Sequence, residues 1–156
     1  MRLLLHSVLL IIGCMLFACN SGKLYNQHIN IPNNTWNMKN IAEFKPEIQD
    51  TTSIFNIYIH IRNTGEYPMS NLFLFVKTTS PQGFYVKDTF ECVLSDQKGK
   101  WLGKGFGSVW SNKVIFKKNV RFPYPGDYIF KIEQAMRINK LPGIVDVGMS
   151  IEKVKY

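Results

Sequence analysis

The sequence predicts an all-β fold, a single antiparallel β-sandwich of jelly-roll-like or Ig-like type, behind a short N-terminal export segment. Three observations predict it. Hydrophobic residues make up 46% and aromatics 13%, against only 19% charged, a mixture that fits half-buried strands better than charged amphipathic helices. Apolar and polar residues alternate with period two in several segments, and turn residues recur between them. The 156 residues suit one compact domain, large enough to bury a core without metal or disulfides.

The elements follow in order. Met1-Arg2 is a short positive start, and Leu3 to Ala18 is apolar apart from His6 and Ser7. That is the shape of a secretory signal, too short to span a bilayer and ended by Asn20-Ser21-Gly22-Lys23. Leu16-Phe17-Ala18-Cys19 resembles the lipobox cut by bacterial lipoprotein signal peptidase. Ile12-Gly13-Cys14 is the weaker site, because cleavage there would leave Met-Leu-Phe-Ala on the mature chain. The expected organisation is therefore a signal peptide over 1–18, a lipidated Cys19 with a short tether over 19–24, and the sandwich over 25–156. An ordinary signal without lipidation and an uncleaved anchor are the competing readings. Acyl chains on Cys19 supply more than one lipid tail, enough for stable anchoring. The tether reaches only about 20 Å, which keeps the domain close to the bilayer.

Phe55 to Arg62 is the clearest strand, with Phe55, Ile57, Ile59 and Ile61 on one face and Asn56, Tyr58, His60 and Arg62 on the other. After the turn residues Asn63 to Pro68, Asn71 to Thr78 is apolar on both sides, Leu72, Leu74 and Val76 against Phe73 and Phe75. Such a strand is either central under a cover or offers a contact surface. Pro81-Gln82-Gly83 turns the chain into Tyr85 to Leu94, and Asp96 to Gly99 is a tight hairpin leading into Lys100-Trp101-Leu102. Gly103, Gly105 and Gly107 suggest a bulge or close backbone approach before Val114-Ile115-Phe116. Pro123-Tyr124-Pro125-Gly126 is a rigid corner, followed by Tyr128, Phe130 and Ile132 on one strand face. Ala135 to Lys140 reads as a short helical turn. The last strand turns Val145, Val147, Met149 and Ile151 inward and Asp146, Ser150 and Glu152 outward.

No pattern of reactive residues points to catalysis. Of the three cysteines, Cys14 leaves with the signal, Cys19 carries lipid, and Cys92 alternates with Phe90 and Leu94 as a core residue, so no intrachain disulfide forms. His60 stands on a polar strand face with no second ligand at metal-binding spacing, and no metal or cofactor is expected. Gly103-Lys104-Gly105-Phe106-Gly107 lacks the ending of a phosphate loop. Asp88 with Glu91, or Asp127 with Asp146, are read as outward strand carboxylates. The net charge of +8 survives loss of the signal almost intact, which suits anionic headgroups, envelope polymers or an acidic partner. Lys113, Lys117, Lys118 and Arg121 lack the aromatic interleaving of single-strand readers, so no nucleic acid is expected. Trp36, Trp101 and Trp110 leave open a glycan-binding module as the alternative function.

Several segments together resemble the GldH family of gliding-motility lipoproteins of the Bacteroidetes. They are the lipobox, Ile59 to Asn63 with Tyr67-Pro68 and Asn71-Leu72, the hairpin Gly99 to Gly103, and the tail. That tail comprises Gly126 to Phe130, Glu133 to Arg137 and Leu141 to Gly148. The resemblance implies a lipid-anchored envelope component associated with gliding motility, with no known enzymatic activity and no small-molecule substrate. Its partners would be the membrane, through lipid on Cys19, and other envelope or motility proteins met by an interaction surface at Phe73, Phe75, Trp101 and Trp110. Asn20 after the lipid cysteine is not the acidic residue associated with inner-membrane retention, which points to the outer membrane.

Overall fold

A computed structural model describes residues 23–155. The signal segment 1–18 and Cys19 lie outside the described residues. Within them the chain forms strands β1 (Lys23–Asn30), β2 (Thr35–Asn37), β3 (Ala42–Phe44), β4 (Glu47–Ile48), β5 (Phe55–Thr64), β6 (Asn71–Thr79) and β7 (Tyr85–Val93). These are followed by β8 (Lys104–Phe106), β9 (Val109–Val120), β10 (Gly126–Asp127), β11 (Ile129–Gln134), β12 (Lys140–Pro142) and β13 (Ile144–Lys153). A single 3-10 turn at Pro32–Asn34 interrupts them. No helix among the described residues is long and apolar enough to cross a membrane.

Two main sheets form the sandwich, one ordered β1-β13-β5-β9-β8 and the other β3-β11-β6-β7, with antiparallel pairing throughout. Two short ladders, β10 with β4 and β12 with β2, close its ends. After β5 the chain changes sheet between β5 and β6, β7 and β8, β9 and β11, and β11 and β13. All-β sandwich architecture is thus as expected.

Period two fixes the inner faces. Ile57, Ile59 and Ile61 of β5 meet Leu72, Leu74 and Val76 of β6 and Phe130 and Ile132 of β11 in one buried cluster. Each such aliphatic side chain contributes roughly 1.5–3 kcal/mol by leaving water. Cys92 and Leu94 are completely buried beside them. Burial pushes the Cys92 thiol up to about 12, so it is a packed core group and no nucleophile. At one end of the core the two buried asparagines satisfy each other, Asn112 donating from its amide to Asn63 Oδ1 (3.0 Å) and to the Ile61 carbonyl (3.3 Å).

Several local expectations give way. Ala135 to Lys140 forms bends and no helical turn. The buried Gln134 amide donates to the Ile138 carbonyl and accepts from the Met136 N–H, clamping this segment as a loop. The Asp96 to Gly99 hairpin does form, the Asp96 and Leu102 N–H groups donating to the Lys100 and Leu94 carbonyls (both 2.9 Å) with Trp101 bridged to Ser95. The strand before Phe116 starts earlier than expected, at Val109, because Gly103 and Gly105 let β8 approach it closely. A Cβ on Gly103 would lie 2.9 Å from the Ser111 carbonyl, and one on Gly105 would lie 3.2 Å from the Trp110 indole. In β13, a bulge between Ile144 and Asp146 leaves Val145 only half-buried and turns Ile144 into the core instead.

Candidate functional site

The outer face of the five-stranded sheet carries a polar cluster. Register places Asp146, Gly148 and Ser150 of β13 opposite Arg62, His60 and Tyr58 of β5, with His28 of β1 beside Gly148 on the other flank. Asp146 and Ser150 do lie on the outer face, but they are not solvated: both are completely buried. The longer side chains of the two flanking strands fold over them. Arg62 bonds Asp146 Oδ2 through both Nε and Nη2, and His28 Nδ1 lies 3.2 Å from Oδ1. His60 Nε2 is 2.7 Å from Ser150 Oγ, and its ring centroid is 5.2 Å from that of His28. Gly148 makes this stacking possible, since a Cβ there would sit 2.5 Å from His28 Nδ1.

Electrostatics follow from this packing. Burial, with the neighbouring His28 and Lys113 charges, lowers His60 to about 4, so its ring is neutral at physiological pH. The Asp146 carboxylate holds the Arg62 guanidinium above its ordinary value. The array contains a serine, histidines and an aspartate, yet it is no catalytic triad. Asp146 orients His28 while Ser150 bonds His60, and a completely buried hydroxyl offers no access to a substrate. No group of three metal-ligating side chains occurs among the described residues. A basin of about 520 Å³ lies beside the cluster, lined by His28, His60, Arg62 and Lys113 and rimmed by Val93 and Leu102.

The remaining carboxylates do not converge. Asp88 pairs with Lys117 at 2.9 Å, and Glu91 accepts from the Asn71 amide at 2.7 Å. Asp127 is exposed on β10. Lys113 is held by Glu152 and lies 4.0 Å over the Tyr58 ring.

The four aromatic residues expected to form an interaction surface divide into two places. Phe73 and Phe75 project from the outer face of β6, 37% and 36% exposed, near the middle of the four-stranded sheet. Lys87 Nζ sits 4.6 Å from the Phe75 ring, and Lys77 lies 4.2 Å from that of Tyr85. Trp101 and Trp110 instead pack together at one end of the sandwich, 5.6 Å apart, with Tyr67 beyond Trp101. The Trp110 ring also lies against Gly65 and Gly105. Trp36, a candidate sugar platform, is completely buried and donates its indole N–H to the Asn40 carbonyl at 2.7 Å, so it cannot stack on a glycan. Sequence reasoning missed the His28–Asp146–Arg62 cluster. Only the tail segment containing Asp146 and Gly148 hinted at it.

Comparison with known proteins agrees with a membrane-anchored envelope lipoprotein. Residues 23–151 match the family model described as GldH lipoprotein. A relative from Christiangramia forsetii, named gliding motility lipoprotein GldH homolog, is 37% identical over 143 residues, 87% of each chain. The gliding motility lipoprotein GldH of Flavobacterium johnsoniae is 30% identical over 160 residues, 98% of this chain and 99% of its own. With the match covering nearly the whole sandwich and both relatives aligned over most of their length, the chain belongs to the GldH lipoprotein family.

Proposed function

We propose that this lipoprotein is a non-catalytic component of the gliding-motility or envelope machinery, anchored in the outer membrane by lipid on Cys19. It acts through protein contact at the outer face of the four-stranded sheet. One observation carries the reading: Phe73 and Phe75 stand more than a third exposed on a central strand, with the Lys87 ammonium over the Phe75 ring. Lys77 and Lys87 lie on the Phe75 side, while Glu91 and Glu133 stand opposite Phe73 and Phe75 in register, so a complementary partner presents an apolar centre with a rim of mixed charge. The relatives named for gliding motility supply the process, and the self-satisfied polar cluster supports a role without catalysis.

A photocrosslinking amino acid at position 73 or 75 in living cells is expected to capture a specific envelope protein, whereas one at the exposed Gln27 on the other sheet is not. Equal capture from all three positions, or none from 73 and 75, overturns the docking surface. Labelled fatty acid incorporated by the native chain and lost in Cys19→Ala tests the anchor separately. The glycan-binding alternative is weaker because Trp36 is buried and Trp110 spends its surface on Trp101 and two glycines.

A further inference from the structure

The sandwich has two ends, and the strand register sorts residues between them. Lys23 pairs with Glu152, Glu152 with Asn56, and Phe55 with Val120, so the start of β1, the end of β13, the start of β5 and the end of β9 share one end. The same end holds the β6–β7 loop, because Ser80, Phe84 and Val86 line one groove with Ile57, Val120 and Tyr124. At the opposite end Thr64 pairs with Val109 and Val109 with Phe106, and Trp101 and Trp110 pack there. Trp36 lies there too, through the β2–β12 ladder that leads into the start of β13.

Phe84, Tyr85 and Val86 at the first end are consecutive and 67%, 65% and 61% exposed. The groove behind them, about 330 Å³, is lined mostly by apolar side chains. Exposed Lys118 and Arg121 flank it, and exposed Lys23 and Lys155 share the end, outnumbering the exposed carboxylates Glu47 and Asp127 of the β4–β10 ladder. Lys117 and Lys153 are there as well, paired with Asp88 and Asp50. Aromatic and aliphatic groups ringed by cations suit the boundary between anionic headgroups and acyl chains.

We infer that this end of the sandwich rests on the bilayer, with Phe84, Tyr85 and Val86 dipping into its interface. The inference rests on the lipid anchor of the proposed function and adds an orientation to it. The occupant follows from where the chain leaves the described domain. Three residues lie between Cys19 and Lys23, four Cα steps with a reach of at most about 14 Å, so the bilayer surface lies within that distance of this end. Three ladder steps of about 4.8 Å separate β1 from β9, so one bilayer plane serves both the anchor and the apolar tip. Phe106, 92% exposed, stands at the other end, roughly 30 Å away along β5. In this orientation the outer face bearing Phe73 and Phe75 stands upright from the membrane, free for a protein partner.

The native tryptophans make the test clean, because all three lie at the end away from the bilayer. The lipidated full chain is reconstituted into phosphatidylethanolamine–phosphatidylglycerol vesicles whose acyl chains are brominated near the headgroup. Native emission should be unquenched, the added emission of Phe84→Trp quenched and blue-shifted, and that of Phe106→Trp unaffected. Both substitutions fall at exposed positions, so folding is preserved, and circular dichroism checks it. Protein that floats with the vesicles while Phe84→Trp stays unquenched overturns the orientation and leaves the anchor standing. Quenching of Phe106→Trp in place of Phe84→Trp reverses the orientation. Protein that fails to float overturns both.

Discussion

The two outer faces of the sandwich obey the same alternation and end in opposite states. On the five-stranded sheet the outward polar residues of β1, β5 and β13 bury one another, Asp146 and Ser150 sealed beneath Arg62, His28 and His60, although Ile115 of β9 stands exposed beside them. On the four-stranded sheet the outward residues include two exposed phenylalanines, Phe73 and Phe75, the second with the Lys87 ammonium over its ring. A face whose polar groups are all satisfied internally stabilises the fold and has little left to offer a partner. A face that leaves apolar rings open costs free energy in water, which contact with another surface recovers.

This contrast can be broken at the polar face first. Arg62→Ala strips the completely buried Asp146 of its main counter-charge and should lose about 3 kcal/mol, the lower end for breaking a buried pair because the guanidinium is itself partly solvated. Urea unfolding followed by circular dichroism reads it, and a loss under about 1 kcal/mol would show the pair to be a surface one. Gly148→Ala comes next. Its methyl must displace the His28 ring, for which we expect about 1–3 kcal/mol, an overpacking cost. Replacing His28 by Ala as well should recover part of that loss.

Acid should act on the same face more gently. His60 sits at about 4 in the folded chain against 6.5 unfolded, so as pH falls through that window the unfolded chain takes up a proton that the folded one refuses. Stability is therefore lost on acidification between those values, and His60→Gln should show a shallower fall in Tm from pH 7 to pH 5. Equal slopes would mean that His60 is solvated. The smallest effect on stability belongs to the other face. Phe73→Ser with Phe75→Ser should change stability by no more than about 0.5 kcal/mol per site while abolishing partner crosslinking, since exposed rings contribute little to the core. A large loss of stability would instead mark these rings as structural.

Much of the sandwich is legible in the amino-acid sequence. Strands β5 and β6 follow from alternation alone, because period two assigns each side chain a face irrespective of the neighbouring strand. The core role of Cys92 follows in the same way. Alternation could place Asp146 and Ser150 on the outer face but could not say what lies over that face. Their cover comes from β1 and β5, more than eighty residues away in sequence. The bulge at Val145 was hidden for a related reason, since it depends on register with β5, whereas the loop clamped by Gln134 is held by local side-chain bonds that apolar periodicity does not record.

The sequence by itself determined the fold class, most core faces and the family resemblance, because each is written in local spacing and composition, and it proposes the export signal with its candidate lipid cysteine on the same grounds. Tertiary structure decided which surfaces remain open. It sealed the polar cluster, separated the tryptophan pair from the phenylalanine pair, and gathered Phe84, Tyr85 and Val86 at the end from which the chain leads back to Cys19. Whether a side chain is covered depends on long-range packing, and no local pattern records it.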